Sequence, residues 1–336
     1  MFVWKPRAGW DLNAGYNRDI LEGVSTMRNN AEWRTLLLAG VCYAVWFLLA
    51  FGWSDLPDTI RVLLLIPVIT LHSSLQHEFL HGHPFRSQKL NDLIISPPIG
   101  VLVPYLRFKS CHLTHHINEN ITDPYDDPES YYLDRNVWAS IPAWLKHLLT
   151  ANNTLVGRIT LGPALATVGF ARSEWRRSRA GDKTIAATWM RHALAVAILF
   201  YLITRFGSLH PAAYMLVAYF GMGLLMVRSF IEHQATEKAN QRSVIIETRG
   251  PLSFLFLNNN YHSVHHAYPS LAWYKLPAFF RENRARFLRM NGGYRYESYW
   301  EVFKRHGFRP KEPVAYPMEP RRARHHEKQV SGDILP

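Results

Sequence analysis

Long apolar segments restrict this chain to a membrane fold more strongly than any other feature of its sequence. Four segments approach the ~20 apolar residues that a helix needs to cross a bilayer. They cover residues 36–53, 59–75, 185–206 and 211–231. The third segment carries Arg191 and His192 near its start, and such side chains are tolerated where a span reaches the polar interface. We therefore predict four transmembrane helices.

The placement of basic residues predicts the orientation of these spans. The chain has a formal net charge of +12, yet loop 54–58 contains no Lys or Arg and loop 205–210 contains only Arg205. Because positive residues stay inside, both loops are predicted to lie outside the cell. Both termini and the long section from about residue 77 to 184 are then cytosolic. The excess charge follows from this topology, so we expect no nucleic-acid partner.

The other segments complete an all-α, integral membrane fold of four transmembrane helices with a cytosolic helical cap. We expect one domain over residues 1–336, with a cytosolic amphipathic N-terminus over 1–34 and a disordered tail over 320–336. Segments 93–105 and 154–171 are apolar but short. We predict that they lie at the membrane surface, and burial within the cap is the alternative.

Histidines are concentrated in four short windows, which read HEFLH, HLTHH, EHQ and HSVHH. Repeated spacing of this kind rarely arises by chance, even when false-positive motif matches are allowed for. The windows hold nine of the 17 histidines. These nine are His77, His81, His112, His115, His116, His233, His262, His265 and His266.

Helical spacing explains how these side chains could meet. Residues three and four apart lie on one face of a helix, so each window can direct its imidazoles at one small volume. Adjacent pairs such as His115 and His116 diverge by ~100°, which suits two neighbouring metal ions. His77 and His233 lie at the ends of the second and fourth predicted spans, which reach the same membrane face. The sequence therefore predicts two metals close to that face.

Three of the windows resemble the histidine boxes of the membrane fatty acid desaturase superfamily, which includes desaturases, hydroxylases and ketolases. The resemblance runs from about residue 60 to 280 and includes HEFLHGH, HLTHH and HSVHH. RSFIEHQ resembles the extra histidine of the family, and NNNYHSVHHAYP followed by WYKLP resembles the bacterial third box. The resemblance implies that the nine histidines are the ligands of two Fe ions and so the catalytic residues, in a bacterial inner membrane.

The same resemblance implies a reaction and its partners. Two irons would use dioxygen as co-substrate, with electrons from a separate donor, to oxidise a fatty acyl chain that is lipid-linked or a thioester. The sequence has neither a cytochrome b5 signature nor a cysteine cluster, so we expect a ferredoxin, rubredoxin or cytochrome b5 as donor. The third box favours desaturation. The alternative is a hydroxylase or ketolase of a lipid, alkane or carotenoid on the same scaffold.

A metal transporter is a more distant alternative, because it would need polar residues near the middle of the bilayer. The first, third and fourth spans offer none there, whereas the histidines lie at the cytosolic ends.

Further polar residues beside the boxes are candidates for orienting the ligands. His83 is a candidate tenth ligand. A helix that continues past His81 would, however, direct its side chain to another face. Asn258 and Asn259 could hold a metal-bound water or cap a helix, and His72 could line an acyl cavity. The candidate acids are Glu78, Glu119, Asp123, Asp126, Asp127 and Glu232.

Overall fold

The long apolar segments of the sequence are helical in a computed structural model, which describes residues 32–52, 55–118 and 120–318. In chain order the helices are α1 (Trp33–Phe51), α2 (Asp58–Leu80), α3 (Gln88–Ile95), α4 (Tyr105–Ile117), α5 (Arg135–Ser140), α6 (Ala143–Asn152), α7 (Leu155–Thr160), α8 (Gly162–Arg179), α9 (Lys183–Phe206), α10 (Pro211–Glu232), α11 (Pro251–Leu255), α12 (His262–Ala267), α13 (Leu276–Met290) and α14 (Tyr299–His306). Two short strands, β1 (Ile245–Ile246) and β2 (Arg295–Tyr296), form a parallel pair.

Within those ranges, α1, α2, α9 and α10 are long and apolar enough to cross a membrane. The predicted all-α membrane fold with four spans is therefore confirmed. The second span begins as predicted but continues to Leu80 instead of ending at 75, which carries His77 inside its last turn. The predicted N-terminus (1–34) is described only from residue 32, and the predicted tail (320–336) lies outside the described residues.

Helices α2 and α10 pack closely at the centre of the fold. A Cβ added to Gly221 would lie 2.9 Å from the Cγ2 atom of Ile69. The absence of that carbon lets the Thr70 hydroxyl donate a hydrogen bond to the Gly221 carbonyl across 2.9 Å. Small residues allow this approach between helices in lipid, where packing rather than hydrophobic exclusion holds helices together. The two helices thus bring their last turns to the same end of the molecule.

A buried arginine ties the opposite ends of the spans together. The Arg61 guanidinium pairs with Asp58 and donates a hydrogen bond of 2.8 Å to the Ser208 carbonyl in the loop between α9 and α10. The Ser208 hydroxyl donates in turn to the Gly52 carbonyl at 3.1 Å, just after α1. A charge near the end of an apolar helix is therefore satisfied by neighbouring polar groups.

The other helices form a cap at the end where α2 and α10 finish, made of residues 81–182 and 233–318. Helix α7 packs closely on α10 at Gly223. A Cβ added there would lie only 2.5 Å from the Ile159 carbonyl oxygen, so a larger residue would not fit. Of the two predicted surface segments, 154–171 forms α7 and part of α8, and 93–105 forms the end of α3 and a loop. Their position at a membrane surface stays a prediction.

The last described residues wrap around the cap. The Leu133 amide donates to the Val314 carbonyl at 2.9 Å, and the Tyr316 amide donates to the Leu133 carbonyl at 2.8 Å. The Lys311 amide donates to the Asn153 carbonyl at 2.9 Å. The C-terminal segment therefore holds the loop after α4 and the end of α6.

Candidate metal centre

All four histidine windows meet where the cap covers the ends of α2 and α10. His77 lies in the last turn of α2, and His81 follows that helix directly. His233 is the first residue after α10. The two HxxHH windows lie on α4 and α12, where spacings of three and four residues place their imidazoles on one side.

The nine predicted ligands divide into two adjoining groups. One potential ligand atom from each of five residues lies within 4.8 Å of all the others in the first group. That group is His77, His81, His112, His116 and His265.

The second group contains His115, His233 and His266, whose ligand atoms also lie within 4.8 Å of one another. His262 completes it, because its Nε2 atom lies 3.0 Å from Nε2 of both His233 and His266. The groups touch where the rings of His116 and His266 stack with centroids 4.3 Å apart. Each HxxHH window thus sends its first and last histidines to one group and its middle histidine to the other.

Carboxylates outside the groups fix the orientation of two of these rings. The His115 Nδ1 atom lies 2.8 Å from a carboxylate oxygen of Asp127, and the His112 Nδ1 atom lies 3.0 Å from Glu129. Because a carboxylate only accepts, each Nδ1 carries the proton and donates. The Nε2 lone pairs then face the centre of the cluster, as metal ligation requires.

A chain of polar groups orients His262 in the same way. Its Nδ1 atom lies 3.2 Å from the Asn259 amide oxygen. The Asn259 amide nitrogen donates to Glu232 at 2.9 Å, and Glu232 pairs with Arg228 at 2.8 Å. Glu232, a predicted candidate acid, therefore reaches the ring through Asn259, and its carboxylate also lies 3.4 Å from the His262 Nδ1 atom. Asn258 instead donates to the Trp273 carbonyl at 3.1 Å.

The contacts among the rings fit a cation better than hydrogen bonds. An imidazole nitrogen has one in-plane site, either a proton or a lone pair, so it makes one ordinary hydrogen bond. Yet Nε2 of His116 lies 3.0 Å from Nε2 of His112 and 3.1 Å from Nε2 of His265. His233 Nε2 likewise lies 3.0 Å from Nε2 of both His115 and His262. In each group one Nε2 atom is therefore close to two other nitrogens at once, and its single proton or lone pair can bond to only one of them.

Burial opposes the alternative of charged rings. Loss of hydration, together with the neighbouring histidines, lowers the pKa of His116, His262 and His265 well below the ordinary value. The Nε2 atoms of His77 and His81 are buried, and they find no hydrogen-bond partner among the residues that the structure describes. Neutral imidazoles with inward lone pairs are the donors that Fe, Zn, Cu and Ni accept. The residues present thus fit two transition-metal ions.

The predicted candidate acids have different positions. Glu78 accepts the Trp273 amide at 2.8 Å and bonds to no histidine of the two groups. Asp123 accepts the Tyr125 amide at 2.9 Å, and Asp126 accepts the Asn120 amide group at 2.8 Å. Asp127 and Glu232 reach the cluster as described above. Glu119 lies outside the described residues.

His83 and His72 belong to other contacts. The structure does not bring His83 into either group, because its Nδ1 atom lies 3.0 Å from Glu32. The predicted reason, a continuing helix, is wrong: α2 ends at Leu80, and the chain turns before His83. His72 lies within α2 with its Nε2 atom 3.1 Å from the Tyr43 hydroxyl.

Two functional candidates were missed in the sequence. Glu129 holds His112, and although burial alone would raise its pKa, His112 and His115 bring that pKa to about 2. Its place in the acidic run DPYDDPES was the only available signal. Lys311 is the other, and its Nζ atom donates to the carbonyls of Phe230, at 3.2 Å, and His233. No sequence motif marks it.

Lys311 holds the backbone at the end of α10. The last carbonyls of a helix have no amide partner within it, and the ammonium of Lys311 supplies one for Phe230 and His233. The same ammonium donates to the Tyr131 hydroxyl at 2.7 Å and pairs with Glu312 at 2.8 Å. The C-terminal segment thereby fixes the position from which the His233 ring projects.

We expect Glu129→Gln to weaken the site, because an amide is a poorer partner for the His112 N–H than a carboxylate. Loss of such an outer partner typically costs 10–100-fold in metal affinity or activity, so a decrease of about that size is expected. Metal titration and turnover of the purified protein measure it. Asp126→Asn, in the same loop, is the matched control. Equal effects of the two substitutions would contradict the assigned contact.

The fold and this cluster define a class: a membrane protein with several spans and a histidine-lined site for two metals at the ends of two of them. A family model described as fatty acid desaturase matches residues 59–298. The chain belongs to this family. The match covers more than half of the chain and all four histidine windows, and it ends before Lys311. No curated protein matches the chain.

Proposed function

We propose that the protein is an oxygen-dependent desaturase of a fatty acyl chain, with the nine histidines as ligands of two Fe ions. The observation that carries the proposal is the pair of adjoining histidine groups, five and four residues, buried at the ends of two spans. Membership of the fatty acid desaturase family supports the acyl substrate. We further propose that residues 1–336 act as one domain.

The residues of this chain supply position and a dry environment. Asp127, Glu129 and Asn259 hold the Nδ1 atoms of three rings, so the Nε2 atoms are presented without reorganisation. When bound, the irons would supply dioxygen-driven oxidation of an unactivated C–H bond. The cap limits water at the cluster, since seven of the nine histidines are buried and the other two, His81 and His233, are half-buried. Exclusion of water limits side reactions at such a centre.

The proposal includes an orientation of the protein in the membrane. We infer that both termini and the metal centre face the cytosol, with the chain in a bacterial inner membrane. Electrons come from a separate ferredoxin, rubredoxin or cytochrome b5. The last turn of α8 carries Arg176, Arg177 and Arg179, and basic surfaces of this kind accelerate docking of acidic donors.

Lipid mass spectrometry on cells with and without the protein tests the reaction. A product two hydrogens lighter is expected, and it should vanish with His265→Ala because that ring belongs to the first group. His147, an exposed residue on α6 whose Nδ1 atom lies 3.1 Å from the Ala143 carbonyl oxygen, provides the matched alanine control. A product one oxygen heavier would replace desaturation with hydroxylation.

The hydroxylase or ketolase alternative uses the same centre, and the mass of the product separates the two. Metal transport receives no support from the geometry. A conduit needs polar groups along the bilayer, whereas the histidine groups lie at the ends of α2 and α10.

A further inference from the structure

A cationic cleft lies beside the metal centre. Its volume is about 350 Å³, and it opens between α11 and the first turns of α13. Arg249 and Arg281 line it together with Phe254, Tyr274 and Asn258. Its size is at the lower end of small-molecule sites. The cleft therefore suits a compact group rather than a whole acyl chain.

The charge of the cleft is positive. Among the described residues, its lining includes two arginines and no acidic residue. The Arg34 guanidinium carbon lies 4.8 Å from the centre of the Tyr274 ring, and Lys275 follows Tyr274 in the chain. Two cations thus line the cleft, and Arg34 and Lys275 lie near its Tyr274 wall, on which Glu32 and Glu78 also act. Guanidinium groups bind phosphate by paired hydrogen bonds, and Arg249 also bonds to the Tyr261 side chain.

The cleft lies beside the start of a candidate span. Arg34 belongs to the first turn of α1, a candidate span that begins at Trp33. Trp33 is 65% exposed and Phe254, in the cleft wall, is 50% exposed. Exposed aromatic rings at the end of a span are typical of the membrane–water interface. A ligand held here can keep its apolar part in the bilayer.

Short connections join the cleft to the metal centre. Asn258 lines the cleft, and its neighbour Asn259 orients His262. Asn258 also donates to the Trp273 carbonyl, while the Trp273 amide donates to Glu78, next to His77. A head group in the cleft would therefore lie beside two of the elements that present the histidines.

We propose that this cleft binds the phosphate group of an anionic membrane phospholipid whose acyl chain is the substrate. The second half of this statement rests on the proposed function, whereas phosphate binding does not. Basic pockets at the cytosolic ends of spans bind lipid phosphates by the same chemistry. A soluble acyl thioester also carries phosphate, but the exposed rings at the cleft favour a lipid that stays in the membrane.

Native mass spectrometry of the full-length protein tests the binding, with phosphatidylglycerol as the probe and no need for turnover. Arg249→Gln/Arg281→Gln should weaken phosphatidylglycerol retention by about tenfold, because two charge-assisted contacts are lost. Arg289→Gln/Arg309→Gln removes the same charge from exposed arginines outside the cleft and should leave retention unchanged. Equal retention by both double variants would overturn the proposal.

Turnover then identifies the source of the phosphate. The same acyl chain is offered in phosphatidylglycerol, in a galactolipid without phosphate and in acyl-coenzyme A. The cleft variant should raise the KM for phosphatidylglycerol by about tenfold relative to the galactolipid, with metal content unchanged. Arg249→Lys/Arg281→Lys should recover only part of the loss, because lysine restores the charge but not the paired hydrogen bonds. A rise confined to acyl-coenzyme A, or an equal rise for all three, would overturn the membrane-lipid assignment. If the wild-type protein converts none of them, the proposed function fails, while the binding measurement still decides the cleft.

Discussion

Replacing His233 with alanine is expected to remove about one of the two metal ions and to lower turnover by more than about a hundredfold. Loss of an outer partner alone costs up to about 100-fold, so loss of a ligand should cost more. The reason lies in the second group, where the Nε2 atoms of His115 and His262 both lie 3.0 Å from that of His233. Elemental analysis per chain and product formation measure the two effects.

His81→Ala provides the comparison, since the first group keeps four of its five histidines. We expect His81→Ala to retain more metal than His233→Ala, which reduces a group of four to three. His147→Ala, at an exposed position on α6, should retain the full amount. Loss of the same fraction of metal in the His81 and His233 variants would contradict the division into separate groups.

Lys311→Met is expected to destabilise the protein and to lower its metal content, although Lys311 contacts His233 at its backbone carbonyl. The substitution leaves the partly buried Glu312 carboxylate without its cation and the Phe230 and His233 carbonyls without their donor. Removal of one partner of a buried ion pair costs about 3–5 kcal/mol. A lower unfolding temperature should accompany a loss of about one metal ion per chain.

A second variant separates these two effects. Lys311→Met/Glu312→Gln removes both charges, so most of the lost stability should return, since deleting a whole buried pair is often nearly neutral. Metal content should stay low, because the His233 backbone still lacks its donor. Lys304→Met, at an exposed position on α14, is the control. Recovery of metal together with stability would show that Lys311 acts on the fold alone.

The sequence was sufficient to predict the spans and the composition of the cluster, because both depend on local patterns. Apolar length predicts a helix that crosses a bilayer, and spacing of three or four residues predicts which histidines share a face. The end of α2 was harder to predict, because the polar residues after 75 interrupt the apolar pattern while the helix continues to Leu80.

Contacts made by loops were not predictable from such patterns. Glu129 reaches His112 only through the path of the loop after α4, and Lys311 reaches His233 from 78 residues away. The prediction that a continuing helix directs His83 away from the other ligands was wrong for the same cause, because the chain turns at Gly82, where φ is +98°. Loop closure carries no periodic signal, so these partners appear only in three dimensions.

The wrapping of the C-terminal segment has a consequence for biosynthesis. A ribosome releases the chain from its N-terminal end, so α4 and α10 leave the exit tunnel before residues 311–316 are translated. Those late residues nevertheless hold Leu133 and the His233 backbone. We therefore expect insertion of the spans to precede completion of the second histidine group, which makes metal loading a post-translational event. A truncated translation product ending before Lys311 would then be inserted in the membrane but poor in metal.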